Sequence, residues 1–426
     1  MFWVIRRLLP VLLLLLNAAC VQQPLSSAGQ PGSPASQPML AEHRPPVILI
    51  SIDGFRPDYL QRHVTPQLNA LAAQGARAAF MRPSFPSITF PNHYTLVTGL
   101  RPDHHGLVGN TMADSAIPGV RFTLGNRDAV TDRRWWDQAE PVWVTAEKQG
   151  VRTATMFWPG SEADIHGVRP SEWRVFDGKV PPAARVDTVL QWLDRPAGKR
   201  PDFLTLYFDD VDHAGHEFGP DAAQTTEAVA AVDQAVGRLV SGLQARRIAA
   251  NLVIVSDHGM AATSEQRVIY LDKILPPDSI QVLTVGAYAG LEPAAGQQAI
   301  VQNSLLQPHP HMTCWEKQHI PARYAYGSNA RVPAIICLAE SGWLILADDK
   351  MKFSRNGGTH GYDPDTPEMA ALFIANGPAF QAGVVLPAID NVDVYPLLMR
   401  LTGIPALPSD GDIRATAAAL RPLPQH

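Results

Sequence analysis

The sequence is poor in cysteine and in charged residues, and it carries no excess of positive charge. Only 3 of its 426 residues are cysteine, and charged residues make up 18%. A net charge of -5 excludes nucleic-acid binding through a broadly basic surface. Three cysteines cannot form a disulfide-rich scaffold, so the 46% of hydrophobic residues must supply the core.

The first 20 residues have the pattern of a secretory signal peptide. Two arginines precede an apolar run that is far shorter than the roughly 20 residues of a transmembrane helix, and small residues follow. Cys20 resembles the lipid-accepting cysteine of bacterial lipoproteins, although Asn17 stands where their motif prefers leucine. We expect export to the periplasm, either with membrane attachment through lipidated Cys20 or with simple cleavage after Ala19.

The remaining chain divides by composition into a linker, a catalytic domain and an insertion. Residues 21–46 are rich in Ser, Pro, Gln and Gly, which indicates a flexible linker. Residues 47–260 and 347–426 alternate strand-like and helix-like segments. Between them, residues 261–346 lose this alternation and are interpreted as a small inserted cap.

The cap contains Cys314 and Cys337, the two cysteines that remain after processing. An exported protein meets an oxidising compartment. We therefore expect a disulfide between them, the alternative being two buried thiols.

Short apolar runs separated by helix-length segments predict an α/β fold. The clearest helix is Ala222–Ala245, whose apolar residues recur at three-to-four spacing, and a last helix is expected at Val394–Met399. The strand-like runs are Val47–Ile52, Val151–Phe157, Phe203–Phe208, Leu252–Val255 and Ala371–Ala375. This order indicates a three-layer sandwich around a mostly parallel sheet.

Acidic residues and histidines follow several of these runs. Asp53 follows the first, Asp212 and His216 follow the third, and Asp257-His258 follows the fourth. Because parallel strands end at one sheet edge, these side chains should gather there. Carboxylate and imidazole are typical zinc ligands, and crowded carboxylates are costly to bury unless a cation neutralises them.

Thr89, in the stretch Ser84–Gly99, is a candidate nucleophile. A threonine hydroxyl is a weak nucleophile near neutral pH, so this interpretation requires an activating base or metal. Taken alone, a threonine before Phe-Pro is ordinarily a helix cap.

Five motifs in a fixed order resemble those of nucleotide pyrophosphatase/phosphodiesterases, which belong to the alkaline phosphatase superfamily. The motifs are Asp53-Gly54, Thr89–His93, Asp212 with Gly215-His216 and Gly219-Pro220, Asp257–Gly259, and His360-Gly361. The resemblance runs from about residue 46 to about residue 410. It implies an alkaline-phosphatase-like fold and zinc-dependent hydrolysis of nucleotide phosphodiester or pyrophosphate bonds.

The same resemblance implies two zinc ions per chain and a covalent threonine intermediate that releases a nucleoside 5'-monophosphate. One ion would be held by Asp212, His216 and His360, and the other by Asp53, Asp257, His258 and Thr89. Asn110 would donate to a phosphoryl oxygen. The implied substrate contacts are Phe90, Asn110, Tyr207, Trp158 and Leu124. His93 has no place in this ligand pattern and is expected to be structural or to support a ligand.

Alternative functions are weighed on the same stretch. A sulfatase motif, Cys/Ser-x-Pro-x-Arg, is broken because Ile88 stands at the arginine position after Ser84. A phosphomonoesterase of the superfamily would need an arginine beside the nucleophile, for which Arg82 and Arg101 are near in sequence. A lipid-headgroup phosphodiesterase and a non-catalytic zinc-binding lipoprotein remain open. The natural leaving group and the oligomeric state are not predicted.

Overall fold

The structure is a computed structural model that describes residues 44–422. The predicted signal peptide, Cys20 and most of the predicted linker lie outside the described residues. Within residues 44–422 no helix combines the length and the apolar character needed to cross a membrane.

The described chain alternates helices and strands, as predicted. The helices are α1 (Pro66–Gln74), α2 (Thr89–Thr98), α3 (Pro102–His105), α4 (Arg127–Thr131), α5 (Val142–Lys148), α6 (Pro182–Leu193), α7 (Asp210–Phe218), α8 (Ala223–Ala245), α9 (Gln298–Leu305), α10 (Val394–Thr402) and α11 (Arg414–Ala417). The strands are β1 (Val47–Ile52), β2 (Ala76–Ala78), β3 (Met81–Arg82), β4 (Thr111–Ala113), β5 (Arg121–Thr123), β6 (Thr153–Met156), β7 (Glu172–Trp173), β8 (Phe203–Phe208), β9 (Asn251–Val255), β10 (Ala261–Thr263), β11 (Val268–Tyr270), β12 (Ile280–Thr284), β13 (Tyr288–Pro293), β14 (Met312–Glu316), β15 (Ile335–Ala339), β16 (Leu344–Leu346), β17 (Gly357–Thr359), β18 (Phe373–Asn376), β19 (Val384–Leu386) and β20 (Ile389–Asp390).

An eight-stranded sheet forms the centre, in the order β19-β2-β18-β9-β1-β8-β6-β7. β1 pairs in parallel with β8 on one side and with β9 on the other. β18 runs antiparallel to both of its neighbours, β9 and β2. The prediction of a mostly parallel sheet is confirmed.

Both faces of this sheet are covered by helices, which explains why β1 is apolar throughout. Val47 and Leu49 enter one core, whereas Ile48, Ile50 and Ile52 enter the core on the opposite face. Successive side chains of a strand point to opposite faces, so burial on both faces requires a continuous apolar run. The arrangement is the predicted three-layer sandwich.

The predicted cap region contains more regular structure than its sequence indicates. β12, β13, β15 and β14 form a four-stranded antiparallel sheet with a small core of its own. Cys314 and Cys337 face each other across β14 and β15 and form the expected disulfide. The boundaries 261–346 themselves stay a prediction.

Strand register places three candidate segments side by side. Ile52 pairs with Phe208, and Ser51 pairs with Val255. The residues that follow, Asp53, the start of α7 and Asp257, therefore leave the sheet at one edge. This edge is the position where an open α/β sheet usually carries its site.

Candidate active site

Three predicted ligands converge from α7 and from the segment after β17. Asp212 and His216 are one turn apart on α7, so they share a helix face. Their side chains approach to 3.5 Å between Asp212 Oδ2 and His216 Nε2. His360 Nε2 lies 3.5 Å from Asp212 Oδ1.

A second group converges from the ends of β1 and β9. His258 Nε2 lies 2.9 Å from Asp257 Oδ2 and 3.4 Å from Asp53 Oδ1. Thr89 begins α2, and its Oγ1 lies 3.3 Å from the same His258 nitrogen. The predicted nucleophile therefore lies beside the predicted ligands of one ion.

The two groups adjoin and form one site. The rings of His258 and His360 stack with centroids 3.5 Å apart. One ligand atom each from Asp53, Asp212 and His258 can be placed within 4.8 Å of the others. Asp53 and Asp212 therefore lie at the shared border.

Gly54 allows this close approach of β1 and α7. Its φ of 67° lies in the left-handed region that favours glycine. A Cβ added here would lie 3.2 Å from Asp212 Oδ1. A larger residue would displace the candidate ligand.

The histidine hydrogen bonds fit a metal centre. Nδ1 of His216, His258 and His360 lies 2.9 to 3.0 Å from a backbone carbonyl, those of Gly358, Gly259 and Ser87 respectively. A carbonyl can only accept, so Nδ1 carries the proton and Nε2 presents a lone pair. Nε2 of His216 and of His360 then face each other at 3.0 Å, which suits a shared cation.

The carboxylates of the site also fit a metal centre. Asp53 Oδ1, Asp212 Oδ1 and Asp257 Oδ2 are buried without a hydrogen-bond donor in the described structure. Burial raises the pKa of Asp53 well above its usual range, and the charges of Asp257 and Asp212 raise it further. A buried group of carboxylates that repel one another is stabilised by divalent cations.

The pKa values of Asp257 and His360 are both lowered, but for different reasons. Burial alone would raise the pKa of Asp257, but His258 and His93 outweigh burial and hold it well below its usual range. Burial lowers the pKa of His360 well below its usual range, and His258 and His216 lower it further. These shifts favour an ionised Asp257 and a neutral His360, the forms that bind a metal. Burial alone would lower the pKa of His258, but the charge of Asp257 outweighs burial and raises it.

Two hydrogen-bond donors point to an anion site beside Thr89. Asn110 Oδ1 accepts from the Phe90 backbone N–H at 3.0 Å, which orients the side-chain amide. Between residues 44 and 422 no group accepts from Asn110 Nδ2 or from the Thr89 backbone N–H. Both donors belong to or adjoin the N-terminal turn of α2, where anions are favoured.

His93 has a larger part in the site than the sequence indicates. It is fully buried one turn after Thr89, and its Nδ1 lies 2.9 Å from the Thr89 carbonyl oxygen and 3.3 Å from Asp257 Oδ2. Its Nε2 meets Ser51 Oγ at 2.8 Å. Asp53, His93 and Asp257 can also be grouped as metal ligands, yet both His93 nitrogens already have protein partners, which favours a supporting role. The four-residue spacing from Thr89 was the available signal.

The predicted substrate contacts divide into exposed and buried groups. Leu124 follows β5 and is 43% exposed. The ring centroids of Phe90 and Phe122 lie 5.9 Å apart. Trp158 is buried, and its indole N–H donates to the His93 carbonyl oxygen at 3.2 Å. Its placement favours packing over substrate contact. Tyr207 is 7% exposed, and its hydroxyl donates to Asp53 Oδ2 at 2.6 Å.

Phe176 is an aromatic neighbour of the site that the sequence reasoning missed. Its side chain is 43% exposed, and its ring lies 6.0 Å from that of Tyr207. It follows the two-residue strand β7 closely, in a segment without a clear period. Single exposed apolar side chains are common on protein surfaces, so its contact with Tyr207 is what makes Phe176 a candidate for substrate contact.

The arginines of the monoesterase alternative are engaged elsewhere. Arg82 pairs with Asp390 at 2.7 Å and with Asp365 at 2.8 Å, and Arg101 pairs with Asp390 at 2.9 Å. Across the described part of the chain, no arginine or lysine forms an ion pair with a candidate ligand. The candidate ligands of residues 44–422 are therefore not neutralised by a side-chain ion pair with arginine or lysine.

The fold and the site together define a metal-dependent hydrolase of the alkaline phosphatase superfamily. Residues 47–363 match the family of type I phosphodiesterase / nucleotide pyrophosphatase. The chain belongs to this family, and it is an enzyme of the phosphodiesterase / nucleotide pyrophosphatase class.

Similar proteins cover most of the chain. An uncharacterized pyrophosphatase/phosphodiesterase of Schizosaccharomyces pombe is 38% identical, over 86% of this chain and 78% of its own. A bis(5'-adenosyl)-triphosphatase of Xenopus laevis is 36% identical, over 88% and 82%. The murine ectonucleotide pyrophosphatase/phosphodiesterase 5, solved as an inactive threonine-to-alanine variant in complex with AMP, has 32% identity and a TM-score of 0.85, over 88% of this chain and 100% of that one. Other relatives are longer: the chain spans 47% of a venom phosphodiesterase of Naja atra.

Proposed function

We propose that the enzyme hydrolyses nucleotide phosphodiester or pyrophosphate bonds through Thr89 and releases a nucleoside 5'-monophosphate. The observation that carries the proposal is the Thr89 hydroxyl, 3.3 Å from His258 and at the start of α2. It is supported by the similar murine structure, in which a threonine-to-alanine variant is inactive and binds AMP. The name of the Xenopus laevis relative describes cleavage of a nucleotide pyrophosphate.

Two zinc ions are proposed for the cluster. Asp212, His216 and His360 would hold one ion, and Asp53, Asp257, His258 and Thr89 would hold the other. When bound, these ions lower the pKa of the Thr89 hydroxyl and neutralise negative charge that develops on phosphoryl oxygens.

Thr89 would act in two steps. Its Oγ1 forms a bond to phosphorus while the bond from phosphorus to the leaving oxygen breaks, and the hydroxyl proton is lost to solvent. Water then supplies the oxygen that displaces Thr89 from phosphorus, and Thr89 regains a proton. His93 holds the backbone of this turn through its hydrogen bond to the Thr89 carbonyl oxygen, so the orientation of the Thr89 hydroxyl is fixed.

Asn110 and the Thr89 backbone N–H would bind the non-bridging phosphoryl oxygens. The contact from the Phe90 N–H to Asn110 Oδ1 leaves Nδ2 as the donor. Donors placed before the reaction need no reorganisation when charge develops on phosphorus oxygens.

Phe90, Phe176 and Tyr207 are proposed to form an aromatic wall for the nucleoside, with Leu124 at its rim. Aromatic faces stack on any base, at about 1 to 3 kcal/mol per stacked base. Phe176 offers the most exposed ring of the three. Stacking would give affinity for nucleotides with little choice among bases.

A diester is favoured over a monoester on charge. A monoester carries one more negative charge at neutral pH, and Arg82 and Arg101 are both tied to Asp390. Neither of these two arginines is therefore free to meet the extra charge. The aromatic wall likewise favours a nucleotide over a lipid headgroup.

Export is proposed from the sequence of the first 20 residues, with lipid on Cys20 as one of two outcomes. The similar ectonucleotide and venom enzymes carry names that place them outside the cell. Mass spectrometry of the mature N-terminus decides between a lipid-modified Cys20 and a free terminus after Ala19.

Product analysis tests the proposal. The zinc-loaded enzyme is incubated with diadenosine triphosphate and, separately, with glycerophosphocholine, and the products are identified by mass spectrometry. We expect AMP from the first and little turnover of the second. Preferential cleavage of glycerophosphocholine would replace the nucleotide with a lipid-headgroup substrate.

A further inference from the structure

Tyr207 reaches the ligand cluster with its hydroxyl. The residue is the fifth of the six residues of β8, one residue before the end of that strand, and its side chain is almost completely buried. The hydroxyl donates to Asp53 Oδ2 over 2.6 Å. The ring packs edge-on against His93, with centroids 5.1 Å apart. The phenol is thus wedged between a supporting histidine and a candidate ligand.

This hydrogen bond makes the two oxygens of Asp53 unequal. Oδ2 is occupied by Tyr207, whereas Oδ1 is buried without a donor and lies 3.4 Å from His258 Nε2. A carboxylate with one oxygen anchored has little freedom to rotate. Oδ1 is then the oxygen that faces the histidine side of the cluster.

We infer that Tyr207 is a positioning residue, whose hydroxyl fixes the Asp53 carboxylate so that Oδ1 is presented to a divalent cation. The inference rests on the metal sites of the proposed function. Partners of this kind orient a ligand without touching the metal, and their loss typically lowers metal affinity by about 10-fold to 100-fold.

A role of the ring alone does not account for the hydroxyl. Phenylalanine would pack equally well against His93 and Phe176. The hydroxyl is buried and donates to Asp53 Oδ2, whereas Asp53 Oδ1 has no donor among the described residues, so few other donors reach this carboxylate. The ring of Tyr207 therefore belongs to the proposed aromatic wall, while its hydroxyl contacts the candidate metal ligand Asp53.

Tyr207→Phe isolates the hydroxyl because it keeps the ring. Tyr395→Phe is the matched control. Tyr395 lies on α10, away from the cluster, and is also buried. Its hydroxyl accepts a hydrogen bond from the Leu407 N–H at 3.0 Å. Both variants of the full chain are stripped of metal and titrated with Zn²⁺ against a chromophoric chelator. Thermal unfolding is recorded with and without Zn²⁺.

We expect Tyr207→Phe to bind one of two zinc ions about tenfold more weakly, with a smaller zinc-dependent rise in Tm. Tyr395→Phe should bind zinc like the unchanged enzyme. Zinc affinity equal in the two variants would overturn the inference. In an Asp53→Ala background Tyr207→Phe should weaken zinc binding no further, and an additional loss there would also contradict it.

Zinc affinity is measured without substrate, so the two proposals fail separately. An enzyme that binds zinc as expected but cleaves no diester would refute the proposed function alone. If the enzyme cleaves the diester but Tyr207→Phe binds zinc as tightly as the unchanged enzyme, only this inference is refuted.

Discussion

The imidazole rings of His258 and His360 are stacked, with centroids 3.5 Å apart and planes 13° apart. The two residues come from different parts of the fold, the end of β9 and the segment after β17. Each ring binds a backbone carbonyl through Nδ1 and turns Nε2 toward the carboxylates. The stack therefore joins two ligand sets into one centre next to Thr89.

Thr89→Ala should abolish turnover while zinc content is retained. The substitution removes the attacking oxygen but only one ligand atom of the second ion, so we expect kcat to fall by about a thousandfold or more. Metal analysis and steady-state kinetics are measured together. Thr98→Ala, at the other end of α2, removes a hydroxyl bound to the Tyr94 carbonyl and should stay active. Unchanged turnover of Thr89→Ala would remove Thr89 from the mechanism.

His216→Ala should lose one zinc ion, whereas His213→Ala should keep both. The two histidines lie on α7, but His213 is exposed and its contact is with Glu217. Elemental analysis after dialysis gives the zinc count per chain. Equal zinc in both variants would show that the α7 face does not bind metal.

Asn110→Ala should lower kcat for a nucleotide diester by about a hundredfold to a thousandfold, near 3 kcal/mol of barrier. The loss arises because a donor to the phosphoryl oxygen and the acceptor of the Phe90 N–H disappear together. Kinetics at saturating zinc measure it. An effect confined to KM would assign Asn110 to ground-state binding instead.

Asp103 should stabilise the enzyme in a pH-dependent way. It is buried and accepts from the backbone N–H groups of Gly327, Ser328 and Asn329 at 2.8 to 3.0 Å. Burial alone would raise the pKa of Asp103, but the hydrogen bonds from Ser328 and from these backbone groups outweigh burial and lower it. A lowered carboxyl pKa contributes stability that is fully present above the ordinary value of 3.8 and is lost as pH falls through the folded-state pKa.

We therefore expect Asp103→Asn to lower the free energy of unfolding by about 2 kcal/mol at neutral pH. The difference from the unchanged enzyme should shrink as the pH falls below 3.8. Chemical denaturation at several pH values measures both effects, with the exposed Asp128→Asn as control. A difference that stays constant with pH would assign the effect to packing.

The sequence predicts well which residues lie at the sheet edge, because each strand and the residue after it can be recognised from a short stretch of sequence. An apolar run such as Phe203–Phe208 must be buried on both faces, and parallel strands end together, so Asp53 and Asp257 were expected to meet. His360 carries no comparable local signal. Its place was implied only by the order of the motifs.

Other parts of the site could not be read from local pattern. Tyr207 occupies a position in an apolar strand where a core residue and a hydrogen-bond donor look alike. Phe176 lies in an irregular segment, so no period shows that its ring is exposed. The hydrogen bond from the Gly327 N–H to Asp103 joins residues 224 positions apart, beyond any local rule.

The alternation of strand-like and helix-like segments is lost in the sequence of the cap region because its strands do not show a clear apolar period. In β12 only Leu283 is buried, since this edge strand pairs with β13 alone. Partial burial weakens the alternation on which strand prediction depends. The expected disulfide, by contrast, needed only compartment and cysteine count.

The most direct test of the account compares a nitrophenyl diester of a nucleotide with nitrophenyl phosphate, with and without chelator, on the zinc-loaded enzyme. We predict faster turnover of the diester, lost on chelation and recovered when zinc is restored. Faster turnover of the monoester, or indifference to the chelator, would contradict the account.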